Sequence, residues 1–542
     1  MSNIPELVRN LLRNRGVEGE EDVNRFLFPR YEHLHDPFLM KNMERAVVRL
    51  FEAVEAKEKI CVYSDYDCDG IPGAVIVSDI LRDIGADFRV YIPEREDEGY
   101  GFHESAARAL IDEGVTLFIT IDVGTANHET VAFAEANGAN VIICDHHISP
   151  TVPKAYAVLN PHQPEETYPE AILSGAGVAF KFMCAFIVKY GEYYKIPEGR
   201  EKWLLDMAGL ATIADQVPLV GENRAIAHFG LKVLRKTKRP GLIALCAKNR
   251  LEKENITEDD IGFTIAPRLN AASRMASPML SYELLSTKDQ KVANDLASEL
   301  SLLNDRRKTL SAVMMREANK KISERLGDGP IVVGNPDWRL GMLGLIASRL
   351  AENHNRAVFV WTRTKNGVIK GSCRTDGVVN VYELMKLLPE GTFIEFGGHA
   401  PAGGFSMAID RVHSLESALL EVANKAPVFT PEDKELLSLD LSELAGDFYT
   451  HLSMLAPFGE GNPKPLFYVD NARIKDKKMF GKEKEHLEII IEKPGAKPYK
   501  CISFFGEPDE VKGLGVGDVF PRVAVTVEQS TFGYKPEIRL RM

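Results

Sequence analysis

At 542 residues the chain exceeds what one hydrophobic core holds, and at roughly 150 residues per domain it implies three or four of them. A composition of 45% hydrophobic and 27% charged residues excludes the disordered, collagenous and low-complexity classes. The formal net charge of −12 excludes global attraction to polyanions, so a nucleic-acid partner requires a locally basic surface. No run approaches the roughly 18 apolar residues of a membrane span, charges interrupt the N-terminal leucines, and the seven scattered cysteines form no CxxC pair. A cytosolic protein without a zinc knuckle is expected.

From Ile60 onward, short apolar runs at 60–63, 88–92, 117–121 and 141–144 alternate with helical stretches at 73–84, 103–113 and 127–137. Continuous apolar runs suit strands covered on both faces, and the alternation predicts a mostly parallel α/β sheet. Residues 170–285 read as mainly helical. An amphipathic pattern from Asp289 to Leu326 then predicts one connecting helix, roughly 55 Å long at about 1.5 Å per residue, stopped by Gly327-Asp328-Gly329-Pro330. A smaller α/β unit follows, with strands at 331–333, 357–361 and 368–373 and a helix at 342–351; it ends near Pro427 to Pro431. The remainder alternates short β runs (465–469, 487–491, 501–505, 519–527, 538–540) with turn signals, as a small barrel or sandwich does. The expected divisions are residues 1–285, 286–327, 328–428 and 429–542.

Three of the predicted strands run into acidic or imidazole side chains: Asp65-Tyr66-Asp67-Cys68-Asp69-Gly70, then Asp122, then Asp145-His146-His147. Ligands of open α/β sheets bind beyond the carboxyl ends of the strands, so these groups are expected to converge, and uncompensated they would repel one another. A divalent cation is the natural compensation. Oxygen-rich sites with one or two imidazoles and no thiolate favour Mn²⁺ or Mg²⁺, and this many carboxylates suffice for two ions roughly 4 Å apart. The blander alternative makes Asp65, Asp67 and Asp69 mere caps of the helix behind them; the recurrence of such groups at successive strand ends favours the site.

These segments and Leu210-Ala211-Thr212-Ile213-Ala214-Asp215, in this order, resemble the four motifs of the DHH phosphoesterase family. Residues 95–101, 267–274, 344–350, 371–375, 396–399 and 457–463 are similar to signatures of its single-strand-specific exonuclease branch, as are Asn14-Arg15-Gly16 and Phe26-Leu27-Phe28-Pro29. The resemblance covers essentially the whole chain. It implies a parallel-sheet DHH domain with an N-terminal helical extension, a long helix, a smaller α/β DHHA1 domain and an OB-like barrel. It further implies that Asp67, Asp69, Asp122, His146 and Asp215 bind two Mn²⁺ or Mg²⁺ ions, with Asp122 bridging, Asp65 a further ligand and His147 facing the phosphate. Such ions activate water for in-line attack on phosphorus, and no protein nucleophile is needed.

By the same resemblance, Gly397, Gly398 and His399 belong to a glycine-dense DHHA1 signature whose backbone approaches a phosphate, with His399 donating to it. Arg95, Ser372 and Arg374 match positions that hold a 5′-terminal phosphate, a role suited to a guanidinium fork beside a hydroxyl, and Arg274 is expected near the scissile bond. The C-terminal run of Arg473, Lys475, Lys477, Lys478, Lys482, Lys484, Lys493, Lys497 and Lys500, with Phe480 and Tyr499, suits a barrel that tracks a single strand by phosphate contacts and stacking. Two departures from the family pattern stand out, Ile71-Pro72 and Ser273; Pro72 is expected to shift the start of the helix behind the carboxylates.

The activity implied is a 5′-to-3′ exonuclease that degrades single-stranded DNA to mononucleotides in repair and recombination. It would be a cytoplasmic monomer helped by a helicase and a single-strand-binding protein. Two alternatives stand beside it: a DHH phosphodiesterase acting on RNA, short oligonucleotides or cyclic dinucleotides, and a catalytically silent single-strand-binding replication scaffold.

Overall fold

The computed structural model describes residues 4–323, 329–375, 379–427, 436–444, 446–481, 484–504, 506–530 and 537–542. Strands β1 (Lys59–Ser64), β2 (Phe88–Tyr91), β3 (Val115–Ile121), β4 (Asn140–Cys144) and β5 (Ala157–Leu159) form a parallel sheet in the order β2-β1-β3-β4-β5. The first four coincide with the predicted apolar runs; β5 is too short for its pattern to register. From β1 the chain crosses to β2 on one side and then returns to β3 on the other, which puts the topological switch point between β1 and β3.

Helix α1 (Gly70–Asp83) is buried at every position from Gly70 to Leu81, as a helix apolar on all sides requires. It starts at Gly70, so Pro72 does not delay it: the proline stands in the first turn, where the missing amide hydrogen has no intrahelical partner to lose. Helices α2 (Gly175–Tyr190) and α3 (Leu205–Ala214) pack on it, followed by α4 (Ala266–Met275) and α5 (Gln290–Ser323). The latter is the predicted connecting helix; its expected last turn, with the Gly327-Asp328 stop, lies outside the described residues.

Strands β6 (Ile331–Gly334), β7 (Val358–Arg363), β8 (Ile369–Arg374), β9 (Glu395–His399) and β10 (Ala402–Met407) make a second sheet in the order β6-β7-β8-β10-β9, parallel only at β6–β7. Helix α6 (Leu343–His354) covers it. The glycine-dense signature is part of this sheet: it folds as the β9–β10 hairpin, with Gly397 opposite Gly404 and Gly398 opposite Gly403.

The C-terminal strands are β11 (Leu437–Ser438), β12 (Leu466–Phe480), β13 (His486–Glu492), β14 (Tyr499–Ser503), β15 (Val519–Ser530) and β16 (Glu537–Arg541). Pairing of β12 with β15 closes the order β12-β13-β14-β16-β15 into a barrel. Strict alternation fills it, with Leu487, Ile489 and Ile491 of β13 pointing inward. The N-terminal helices Glu6–Arg13 and Glu20–Leu27 send Val8, Leu11, Leu12, Val23, Phe26 and Leu27 into this same core. The first residues, expected beside the DHH domain, therefore belong with the barrel: their apolar stripes are buried there. Two compact units result, one of residues 1–36, 216–232 and 433–542, the other of residues 37–215 and 233–432. Among the described residues no helix is long and apolar enough to cross a membrane.

Candidate metal centre

Asp65, Asp122 and Asp145 each stand one residue beyond a strand, yet the parallel ladder still holds them. The amide of Asp65 donates to the Ile121 carbonyl at 3.1 Å, that of Asp122 to Cys144 at 2.8 Å, and that of Asp145 to Leu159 at 3.1 Å. Asp67 does cap α1, since its Oδ1 accepts from the amides of Asp69 at 2.8 Å and Gly70 at 3.2 Å. Capping and site membership are thus compatible. Asp69 is held by the start of α2, where the amides of Gly175 and Ala176 donate to its two carboxylate oxygens at 2.6 and 2.9 Å. Only glycine permits this approach: a Cβ on Gly175 would stand 2.6 Å from that of Asp122. Asp122 itself has φ of 60°, a costly conformation for a residue with a side chain and one that clusters at functional sites.

The imidazoles complete the group. Nε2 of His146 lies 3.2 Å from Oδ1 of Asp122 and 3.7 Å from Oδ2 of both Asp69 and Asp215, the residue that ends α3. Nδ1 of His147 lies 2.8 Å from Oδ1 of Asp145 and 3.2 Å from the hydroxyl of Tyr100, which donates to the Asp122 carbonyl at 3.1 Å.

Burial first, and then repulsion among themselves, raises the pKa values of Asp65 and Asp122 well above the usual carboxylate range and pushes Asp215 up to about 9. Asp69 also rises, through burial and Asp67, although His146 opposes it. Asp145 goes the other way: burial disfavours its charge, but the His147 hydrogen bond and charge, the Thr125 amide and the His146 charge together outweigh this and hold its carboxyl below the usual range. That bond raises the His147 pKa in turn, against burial.

The donor set fits a divalent cation. Oδ1 of Asp65 and Oδ1 of Asp122 are buried and accept no hydrogen bond, a cost native structures rarely leave uncompensated. Three overlapping trios each bring one ligand atom per residue within 4.8 Å of the others: Asp65, Asp67 and Asp122; Asp122, His146 and His147; Asp69, His146 and Asp215. Asp122 joins the first two and His146 the last two. Oxygen and imidazole donors suit Mn²⁺ or Mg²⁺.

A cationic wall stands beside them. The Arg95 guanidinium lies over the Tyr66 ring, 4.7 Å from its centre. Arg274 donates to the Gly341 carbonyl at 2.6 Å, and burial, then Arg95 and Arg307, push its pKa down to about 9. Arg374 donates to the Ser372 hydroxyl at 3.0 Å and the Cys373 carbonyl at 2.7 Å; burial and Arg95 lower its pKa too. A Cβ on Gly344 of α6 would lie 3.2 Å from Nη2 of Arg374, so that glycine leaves the guanidinium its space. Arg95, Arg274, Ser372 and Arg374 are thus brought together.

His399 is not. With Gly397 and Gly398 it is exposed on the edge strand β9, and among the described residues it makes no hydrogen bond or ion pair with the carboxylate group. In the hairpin Gly398 sits so close to β10 that a Cβ would be 2.3 Å from the Ala402 carbonyl oxygen, whereas Gly397 has open space beside it. Sequence reasoning placed Asp145 at the strand end without a role and passed over Tyr100 and the Gly175-Ala176 amides. The signals were present in the Arg95–Gly101 motif, in the acid preceding the two histidines, and in the small residues after Ser174, whose hydroxyl caps α2.

A parallel sheet with a carboxylate–imidazole cluster at its switch point, followed by a mixed sheet and a closed barrel, defines a protein of the DHH phosphoesterase type. Family models agree: the DHH family N-terminal domain matches residues 59–213, the DHHA1 domain residues 327–425 and the RecJ OB domain residues 437–542. The chain is 35% identical to the single-stranded-DNA-specific exonuclease RecJ of Bacillus subtilis (strain 168), over 93% of this chain and 63% of that protein. It is 31% identical to the Haemophilus influenzae protein of the same name, over 93% of this chain and 90% of that one. It therefore spans less than two thirds of the first relative and nearly all of the second. The crystal structure of RecJ from Thermus thermophilus in complex with Mn²⁺ superposes with a TM-score of 0.80 at 28% identity, covering 99% of this chain and 78% of that one. Its Mg²⁺ complex gives 0.74 at 26% identity, over 99% and 76%. The chain belongs to the RecJ family.

Proposed function

We propose that this chain is a metal-dependent exonuclease that degrades single-stranded DNA from its 5′ end to mononucleotides. The observation that carries the reading is the set of buried, mutually repelling carboxylates with orphaned oxygens beside arginines that, among the described residues, have no carboxylate within ion-pair distance: such an arrangement suits cations and a phosphate together.

Asp67, Asp69, Asp122, His146 and Asp215, with Asp65, would hold two ions, and Asp122, common to two trios, would serve both. Bound Mn²⁺ or Mg²⁺ would supply activation of water and neutralisation of charge developing on the phosphate. The protein's own groups do the rest. Arg95 and Arg374, with the Ser372 hydroxyl, grip the terminal phosphate, and Arg274 steadies the phosphate next to it. Asp145 fixes the His147 ring and keeps it ready to carry a proton, and Tyr100 ties that ring to the Asp122 backbone. The 5′ polarity, a role in repair and recombination, a cytoplasmic setting, a monomeric state and help from a helicase and a single-strand-binding protein follow from the family resemblance.

The test is digestion of a DNA oligonucleotide labelled at one end or the other, with Mn²⁺, Mg²⁺ or EDTA. Immediate mononucleotide release from the 5′-labelled end, dependent on metal, is expected. Single-strand binding without cleavage under any metal would select the silent scaffold, and cleavage confined to RNA or short oligonucleotides the neighbouring phosphodiesterase.

A further inference from the structure

The cationic wall does not end at Arg274. The Arg307 charge on α5 depresses the pKa of Arg274, and Arg307 is itself depressed by burial and then by Arg349 of α6 and Arg268 of α4. Contacts on the three helices agree. Nε and Nη2 of Arg307 donate to Oδ1 of Asn304 at 3.2 and 3.0 Å. One turn further along α5, the Ser311 hydroxyl faces Nη1 of Arg349 at 3.4 Å. Helix α4 packs along α5 and carries Arg268, whose Nη1 donates to the Thr264 carbonyl at 2.7 Å while its Nε is buried without a partner. Nδ2 of Asn304 is likewise a buried donor with no acceptor.

Among the described residues no carboxylate lies within ion-pair distance of Arg268, Arg307 or Arg349; Asp305 acts on Arg268 only through space. Three guanidinium groups on packed helices thus act on one another with no carboxylate to pair them, and two buried donors beside them, Nε of Arg268 and Nδ2 of Asn304, lack the acceptor that buried donors normally find. Phe263 stands exposed in the π-turn Ile261–Ile265 that leads into α4, and exposed rings are what single-strand binders stack bases on.

We propose that Arg307, Arg268 and Arg349 form a second phosphate subsite, which takes a backbone phosphate of the strand whose end is held by Arg95, Ser372 and Arg374. This rests on the reading that the substrate is a single strand. Guanidinium contacts to phosphate carry no base information, so the subsite fixes register and length without selecting sequence.

The test uses the whole chain and variants R307Q, R349Q and R307K. Binding of a 5′-phosphorylated DNA dinucleotide and of a strand of about 12 nucleotides is followed by fluorescence anisotropy in EDTA, between about 50 and 200 mM salt. R307Q should weaken the long strand about tenfold and lower the logarithmic salt slope by about one. The loss on the dinucleotide, which carries only the terminal phosphate and the one next to it, should be at least about five times smaller. R307K should recover part of the loss, and R349Q, at an exposed position that folding tolerates, should act in the same direction. Equal losses at both lengths, or an unchanged slope in R307Q and R349Q, would overturn the proposal. If the unaltered protein binds no single strand, the exonuclease reading itself fails; if it binds and cleaves while the variants keep its slope, only the second subsite does.

Discussion

The barrel and the catalytic unit treat their cations in opposite ways. In the barrel Lys475, Lys477, Lys478 and Lys500 face Glu492, Glu507, Glu488 and Glu537, and Glu528 gathers Lys464, Arg539 and Arg541. In the catalytic unit Arg95, Arg274, Arg307 and Arg374 crowd one another with no carboxylate at ion-pair distance among the described residues, and a few ångströms from the His146 imidazole the carboxylates crowd one another as well. A fold that pairs its charges is settling its own surface. A fold that segregates them by sign, and buries them, holds a site whose stability is completed by ligands of opposite charge.

Asp122→Asn tests the acidic side hardest. Asparagine tolerates the left-handed backbone at this position, so the fold should survive. Loss of the shared ligand should cost at least about 10³-fold in strand cleavage, as expected if several kcal/mol of electrostatic stabilisation disappears. In EDTA the same variant should melt at the same temperature as the parent chain or higher, because a repelling buried carboxyl has gone. A lower Tm would mean that the cluster is not under mutual repulsion, and the comparison would fail on its acidic side.

Asp145 is the acid of the site whose hydrogen-bonded His147 partner helps hold it below the usual carboxylate range, and its replacement by Asn should be milder. With the His147 ring no longer held by a charged acceptor, metal affinity or turnover should fall about 10- to 100-fold, measured by titrating Mn²⁺ against cleavage rate. A loss as large as that of Asp122→Asn would make Asp145 a ligand in its own right.

The pH dependence of the metal-free protein follows from the direction of the shifts. Asp215 keeps its proton up to about 9 in the folded chain, against about 3.9 when unfolded. A raised folded value contributes stability that is fully present below the unfolded pKa and is lost as pH climbs through the folded one. Asp65, Asp69 and Asp122 act in the same sense. Tm in EDTA should therefore decline from about pH 5 toward pH 9, while the rise in Tm on adding Mn²⁺, which binds the ionised carboxylates, should grow over the same window. Scanning calorimetry with and without the ion checks both; a flat EDTA profile would contradict the repulsion.

Much of the acidic side was legible because three apolar runs end in carboxylates or histidines and the sheet rule alone makes them converge. The rest of the site depends on partners distant in sequence. Gly175 reaches Asp69 more than a hundred residues on, and nothing local to a run of small residues announces it. The β9–β10 hairpin escaped because glycine pairs leave no alternation to read, so the strand pairing that carries His399 shows only in the structure. Arg268 and Arg349 lie within the 267–274 and 344–350 signatures and Arg307 on the connecting helix, yet only packing reveals that no acid among the described residues comes within ion-pair distance of them. The pairing of the barrel lysines was hidden for the opposite reason: Lys475, Lys478 and Lys500 meet their acids across strands, as when Lys478 falls opposite Glu488 in the β12–β13 register.

That cross-strand pair supplies the smallest effect and the finest discrimination. With Lys478 already facing Glu488, replacing it by Gln should change single-strand affinity by less than about twofold, the scale of an exposed pair. The informative partner is Glu488→Gln, which leaves the lysine charge without its acid. If the barrel touches the strand backbone, this variant should bind more tightly and its logarithmic salt slope should steepen by about one, since a freed cation displaces one more counterion. An unchanged slope would leave the barrel contacting DNA, if at all, through rings such as Phe480, His486 and Phe504, which cluster within 6.3 Å of one another. Phosphate recognition would then rest with the arginines of the catalytic unit, where segregated charge already points.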